Sequence, residues 1–133
     1  MIPKFRAWDK NTNDMVDVKT IDLEKDGSIG CIVDYNGINL DVSECVLMQS
    51  TGVKDKNGVE IFEGDVLYYI PFESHINDSI VTFEKGSFFK KKLRNGKLTS
   101  VRFIDSEEYA VIGNIHENPE LLEERNVKNG FQV

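Results

Sequence analysis

A mainly β fold, an antiparallel meander leading into an SH3-like small barrel with one short C-terminal helix, is what this sequence predicts, on three observations. Turn pairs punctuate the chain: Asp26-Gly27 once, and Asn-Gly at Asn36-Gly37, Asn57-Gly58, Asn95-Gly96 and Asn129-Gly130. Between them lie short runs of β-branched and aromatic residues, alternating in polarity and too short for helices. Helix-start chemistry is concentrated in Asn118-Pro119-Glu120-Leu121-Leu122: a capping Asn, a Pro at the first helical position, and acid near the positive helix end.

The stretch Leu47 to Ile70 organises the rest. Asn57-Gly58 predicts a two-residue type I′ hairpin, because both central residues of that turn need positive φ. Gly64-Asp65 predicts a second corner, with the carboxylate accepting nearby backbone N–H groups. The run Val66-Leu67-Tyr68-Tyr69-Ile70 then reads as a central strand, stopped by Pro71.

From the N-terminus, Pro3 to Lys10 alternates, with Phe5, Ala7 and Asp9 on one side and Arg6 and Trp8 on the other. Asp9-Lys10-Asn11-Thr12-Asn13-Asp14 turns the chain. Its D-x-N-x-N pattern resembles a calcium loop only in outline, since Asp14 stands at the glycine position and Thr20 where a bidentate Glu is needed. Met15 to Leu23 alternates as a strand, with Val16 and Val18 followed by Ile21 and Leu23. Strands over SIGCIV and INLDV follow at hairpin spacing. Ser43 to Met48 is compatible with either a helical turn or a strand.

Beyond Pro71, the segment Phe72 to Ser79 is polar and holds His75, read as an exposed loop histidine. Glu84-Lys85-Gly86 joins two strands, and Asn95-Gly96 joins two more. Tyr109 to Ile115 forms the last strand, and the chain from Asn126 is a loosely held tail. Residues 1–49 are expected to form the meander and 50–133 the barrel and helix, sharing one core.

At 133 residues, 40% hydrophobic and 29% charged, the chain is ordinary for a globular protein. No apolar run reaches the ~18 residues of a membrane helix, and MIPKFRAWDK has no apolar signal region, so a cytoplasmic protein is expected. Cys31 and Cys45 form no CxxC pair and read as reduced thiols. The formal charge of −7 disfavours a general polyanion binder, yet its distribution is uneven. Lys85, Lys90, Lys91, Lys92, Arg94, Lys97 and Arg102 fall between residues 85 and 104 with no Asp or Glu among them.

Three blocks carry a family likeness: Ile2-Pro3-Lys4-Phe5-Arg6-Ala7-Trp8-Asp9; Met48-Gln49, Thr51-Gly52, Lys54-Asp55-Lys56-Asn57-Gly58, Ile61 and Glu63-Gly64-Asp65; and Val111-Ile112-Gly113-Asn114-Ile115, Glu117-Asn118-Pro119-Glu120-Leu121-Leu122. In this order and over nearly the whole chain, they resemble the YopX family, small proteins of phages and prophages of Gram-positive bacteria. The resemblance implies a β-rich fold with an SH3-like barrel and a phage or prophage origin. It implies no reaction and no catalytic residue.

An enzyme needs converging groups, and none are gathered by the sequence: His75 and His116 lack a neighbouring nucleophile, and Glu107 and Glu108 point to opposite strand faces. No catalytic, cofactor or metal residue is assigned. A nucleic-acid surface is motivated by Lys90, Lys91, Lys92, Arg94 and Lys97 beside Phe88-Phe89, opposed by the acidic remainder of the chain. The leading expectation is a non-enzymatic module for an unidentified protein partner, with homo-oligomerisation through exposed strand edges. Arg6 and Trp8 are its candidate anchors, being residue types that dominate interface hot spots; packing under the meander is the competing role. Lys54, Asp55, Glu63 and Asp65 are read as turn chemistry, with a polar site as the alternative.

Overall fold

The computed structural model describes residues 4–71, 75, 78–93, 98–100 and 108–122. It is mainly β, with two antiparallel sheets, and the chain forms two compact units, 1–50 and 51–133. The Asn95-Gly96 and Asn129-Gly130 turns and the tail from Asn126 lie outside the described residues, as do Arg94, Lys97 and Arg102.

The first unit holds β1 (Phe5–Asp9), β2 (Asp14–Leu23), β3 (Ile29–Asp34), β4 (Asn39–Asp41) and the first half of β5 (Cys45–Lys54), in sheet order β4-β3-β2-β1-β5. β2 belongs to two leaves. Its first residues pair with β1, Ala7 opposite Val16, while its later residues pair with β3, Ile21 opposite Ile32. Between them the register shifts from Val18 to Thr20, so Lys19 is bulged. One extra residue inverts the alternation, and this is why Val16, Val18 and Ile21 all join one core despite the broken parity. Ala7, Val18, Ile32, Leu40 and Cys45 are its buried members, with Phe5, Val16, Ile21, Ile29 and Leu47 packed around them. The segment read as helical turn or strand is both: Val42–Glu44 is a 3₁₀ turn, capped by Asp41 Oδ1 accepting from Ser43 N, and β5 starts at Cys45.

The second unit contains β6 (Glu60–Phe62), β7 (Asp65–Tyr69), β8 (Ser79–Glu84), β9 (Ser87–Lys92), β10 (Leu98–Ser100) and β11 (Tyr109–Asn114). Five of these form a sheet in the order β10-β9-β8-β7-β11. Ile61, Leu67 and Val81 are buried at its core with Val53, Phe88, Tyr109 and Val111 around them. Among the described residues this sheet is open, so the expected closure into an SH3-like barrel is corrected. On the edge of β11 sits a turn, with Lys56 N donating to Tyr109 O at 2.9 Å and Val111 N donating to Asp55 Oδ2 at 2.8 Å. A polar turn thus covers edge groups that a further strand would otherwise need.

That turn also corrects the expected hairpin type. Gly58 has φ 79°, but Asn57 has no positive φ, and Gly58 N donates to Asp55 O at 3.0 Å. The central residues are therefore Lys56 and Asn57, with the left-handed glycine after them, the three-residue arrangement ending in a bulge. Asp34-Tyr35-Asn36-Gly37-Ile38 repeats it: in both, the Asp Oδ1 accepts from the amides two and four residues on, at 2.9 and 2.9 Å for Asp34 and 2.8 and 2.8 Å for Asp55. A turn with two positive φ values occurs instead at Lys85 (φ 54°) and Gly86 (φ 79°), between the paired residues Glu84 and Ser87.

The C-terminal helix is a single 3₁₀ turn, Pro119–Leu122. Asn118 directs Oδ1 back to Asn114 N at 3.1 Å. A Cβ at Gly113 would stand 2.5 Å from that same Oδ1, so the close approach of turn to strand demands glycine there.

Candidate binding site

Where the two leaves of the first unit part, beside the bulge at Lys19, a groove of about 380 Å³ opens. Its apolar lining comes from Phe5, Val18 and Ile21, all members of the core just described. Lys4, Lys19, Thr20 and Tyr35, the last 67% exposed, complete the lining. Tyr35 is positioned by the turn that Asp34 braces. Among the described residues no carboxylate-bearing side chain belongs to the lining. An apolar base with a few convergent polar groups is the general form of a ligand site, at about the small end of the usual ~300–1,000 Å³ range. Sequence alone did not single out these residues, though the break in alternation between Val18 and Ile21 signals the bulge.

The candidate anchors Arg6 and Trp8 share the opposite face of β1, both half-buried. Arg6 sits across from Met48, its Nη2 3.9 Å from the Met48 Sδ, and Trp8 lies opposite Met15 and Val46.

The turn residues are spent on structure. Asp55 is 3% exposed and its two oxygens accept the amides of Asn57, Val59 and Val111. Asp65, buried at the start of β7, accepts from Phe62 N at 2.8 Å, and Gly64, at φ 90°, donates to Val81 O at 2.9 Å.

The lysine run is divided by strand alternation. Lys90 lies opposite Val81 on the face that carries the core, and its Nζ is 2.7 Å from Tyr109 Oη and 4.4 Å from the ring centroid. Burial lowers the Lys90 pKa and raises that of Tyr109. Lys92 is half-buried on the same face, and Lys91 is exposed on the other. Arg94 and Lys97 lie outside the described residues.

His75 is exposed, in keeping with its reading as an exposed loop histidine, and it is also partnered. Its Nδ1 is 2.8 Å from Oδ2 of buried Asp78, and its ring lies 4.9 Å from that of Tyr68. The H-x-x-D spacing is the sequence signal for this pair. Among the described residues no group of three or more His, Cys, Asp or Glu is placed to hold a metal.

The model of the YopX protein family matches residues 4–123. The chain belongs to the YopX protein family. A crystal structure of protein EF1440 from Enterococcus faecalis is 35% identical, covering 92% of this chain and 99% of that one with a TM-score of 0.73. The crystal structure of protein yopX from Bacillus subtilis, 22% identical, covers 90% and 98% with a TM-score of 0.62, which shows a shared fold. No curated protein matches in sequence. No helix among the described residues is long and apolar enough to cross a membrane.

Proposed function

We propose that this YopX-family chain is a non-enzymatic protein-interaction module, encoded by a phage or prophage and working in the bacterial cytoplasm, with the first unit's groove as its contact site. The groove carries the reading: an apolar base and an exposed tyrosine, with Lys19 and Thr20 in the lining, lie beside a strand bulge, a common place for a sheet to re-aim side chains. The engagement of the buried carboxylates supports a binding rather than a chemical role. Asp34, Asp55 and Asp65 are each occupied by backbone amides, which holds them as structural acceptors. Nucleic-acid binding has less support, because Lys90 is turned to Tyr109 and leaves Lys91 as the exposed lysine of β9.

Panning a displayed random-peptide library on the purified protein tests the proposal. Thr20→Trp fills the groove from an exposed position. Enriched peptides are expected to bind the parent and lose affinity for the variant. Peptides that bind both equally would place the contact elsewhere and reject the groove.

A further inference from the structure

In the second unit, His75 and Asp78 are brought together by a turn, Asp78 N donating to His75 O at 3.2 Å. Asp78 is itself anchored just before β8, its carbonyl accepting from Leu93 N at 3.1 Å. Its buried carboxylate lies 2.8 Å from His75 Nδ1, while the histidine side chain is 53% exposed. An ionised carboxylate can only accept, so Nδ1 holds the proton and the lone pair of the neutral ring belongs to Nε2. Tyr68 of β7 sets its ring 4.9 Å from the imidazole at a tilt of 46°, and the imidazole is held from two sides. We infer that Nε2 of His75 is a phosphoryl acceptor, taking the group from a phosphoramidate-type donor, one whose phosphorus is bonded to nitrogen.

The transfer balances with the groups at hand. The Nε2 lone pair attacks phosphorus, an Nε2–P bond forms and the donor's P–N bond breaks. The departing nitrogen, already protonated in the donor, takes that electron pair away as a neutral amine. The Nδ1 proton stays in place. The ring becomes cationic as the new bond forms, and the Asp78 carboxylate, which keeps its charge, stabilises the cation and fixes the tautomer, as carboxylates paired with histidine do in catalytic sites. A P–N donor suits such an acceptor because the bond formed is of the same kind as the bond broken, so an oriented lone pair is all the acceptor must present. Acyl groups suit it less, since an acyl imidazole is soon lost to water. Metal coordination is the other common use of an exposed Nε2, and among the described residues no cluster of ligands gathers to share a metal with it.

Incubation of the purified protein with phosphoramidate, followed by mass spectrometry and phosphorus NMR, tests the inference. His116, the second histidine and half-buried, is the internal reference. The expected product is one phosphoryl adduct on Nε2 of His75, stable in alkali and lost in acid, formed faster than any adduct on His116. His75→Gln should abolish it with the circular dichroism unchanged. Asp78→Asn should slow it about threefold to tenfold, the worth of one partly exposed charge-assisted hydrogen bond. Long-range proton–nitrogen correlation spectra of the neutral ring should place the His75 proton on Nδ1.

The absence of an adduct on His75, an adduct on its Nδ1, or reaction of His116 at an equal rate overturns the proposal. A neutral His75 ring that carries its proton on Nε2 overturns it as well. A folded Asp78→Asn variant that reacts at the parent rate removes the carboxylate from the account and with it the reason for preferring this histidine. If that variant does not fold, the parent's modified residue, ring position and tautomer decide the outcome alone. None of these results bears on the groove of the first unit, whose test is separate.

Discussion

Asp55→Ala should be among the most damaging exposed-turn substitutions in the chain, and Asp34→Ala is its built-in control. Both aspartates brace the same turn through Oδ1, each accepting from the amides two and four residues on. Those amides belong to exposed residues, Asn36, Ile38, Asn57 and Val59, so water replaces the lost bonds at a net cost of about 0.5–1.5 kcal/mol each. Asp55 alone reaches a distant strand, accepting the half-buried Val111 amide at 2.8 Å across 56 residues of sequence. Orphaning that donor costs a further ~1–3 kcal/mol, so Asp55→Ala should destabilise by about 2–6 kcal/mol and Asp34→Ala by about 1–3. Urea unfolding followed by circular dichroism gives both values, and amide exchange at Val111 shows whether the extra loss is local. Equal costs for the two variants, with Val111 protection unchanged, would refute the role given to the Asp55–Val111 bond. Asp55→Asn should fall between, since one amide oxygen can still brace the turn while the other oxygen is replaced by a donor.

Further outcomes are expected elsewhere. Lys85→Asn should raise the melting temperature by the equivalent of about 0.5–1 kcal/mol, because Lys85 occupies φ 54° in a turn that suits Asn; an unchanged or lower value would contradict the turn assignment. Asp22→Asn should speed alkylation of Cys31 near pH 8, because the Asp22 hydrogen bond, then burial and the Asp22 charge, raise the thiol pKa and suppress thiolate; equal rates in parent and variant would rule this out. For Lys90, burial lowers the folded pKa below the ordinary 10.5, so the unfolded chain binds more protons in the window between the two values. Stability from this group therefore rises with pH through that window. Lys90→Met should remove the rise, read as the parent-minus-variant stability difference growing as pH approaches about 10.5; a flat or falling difference would show Lys90 to be solvated.

Much of the fold was legible because turn chemistry is local. Asp26-Gly27, Asn36-Gly37 and Asn57-Gly58 mark hairpins since positive φ is a property of the residue itself. The type of turn was not legible, because it depends on the aspartate two residues before each Asn, whose side chain recruits the amides that fix a three-residue loop. Barrel closure was misjudged for a similar reason: β11 finds its neighbour in a turn 56 residues earlier, a pairing that alternation cannot encode. The groove went unseen because its liners come from β1, β2 and the turn after β3. Only the Val18–Ile21 parity break, one inserted residue in an otherwise regular strand, carries a trace of it. The lysine run illustrates the reverse: composition gathered seven cations, and strand alternation then separated Lys90 and Lys92 from Lys91.

Amide chemical-shift mapping of the isotope-labelled protein with a peptide enriched from the displayed library tests the groove assignment most directly. The predicted result is a cluster of shifted amides at Phe5, Val18 to Ile21 and Tyr35, with the lysine hairpin of β8 and β9 unmoved and the whole pattern abolished by Thr20→Trp. A cluster centred on Lys90 to Lys92, or one that persists in the Thr20→Trp variant, would contradict it.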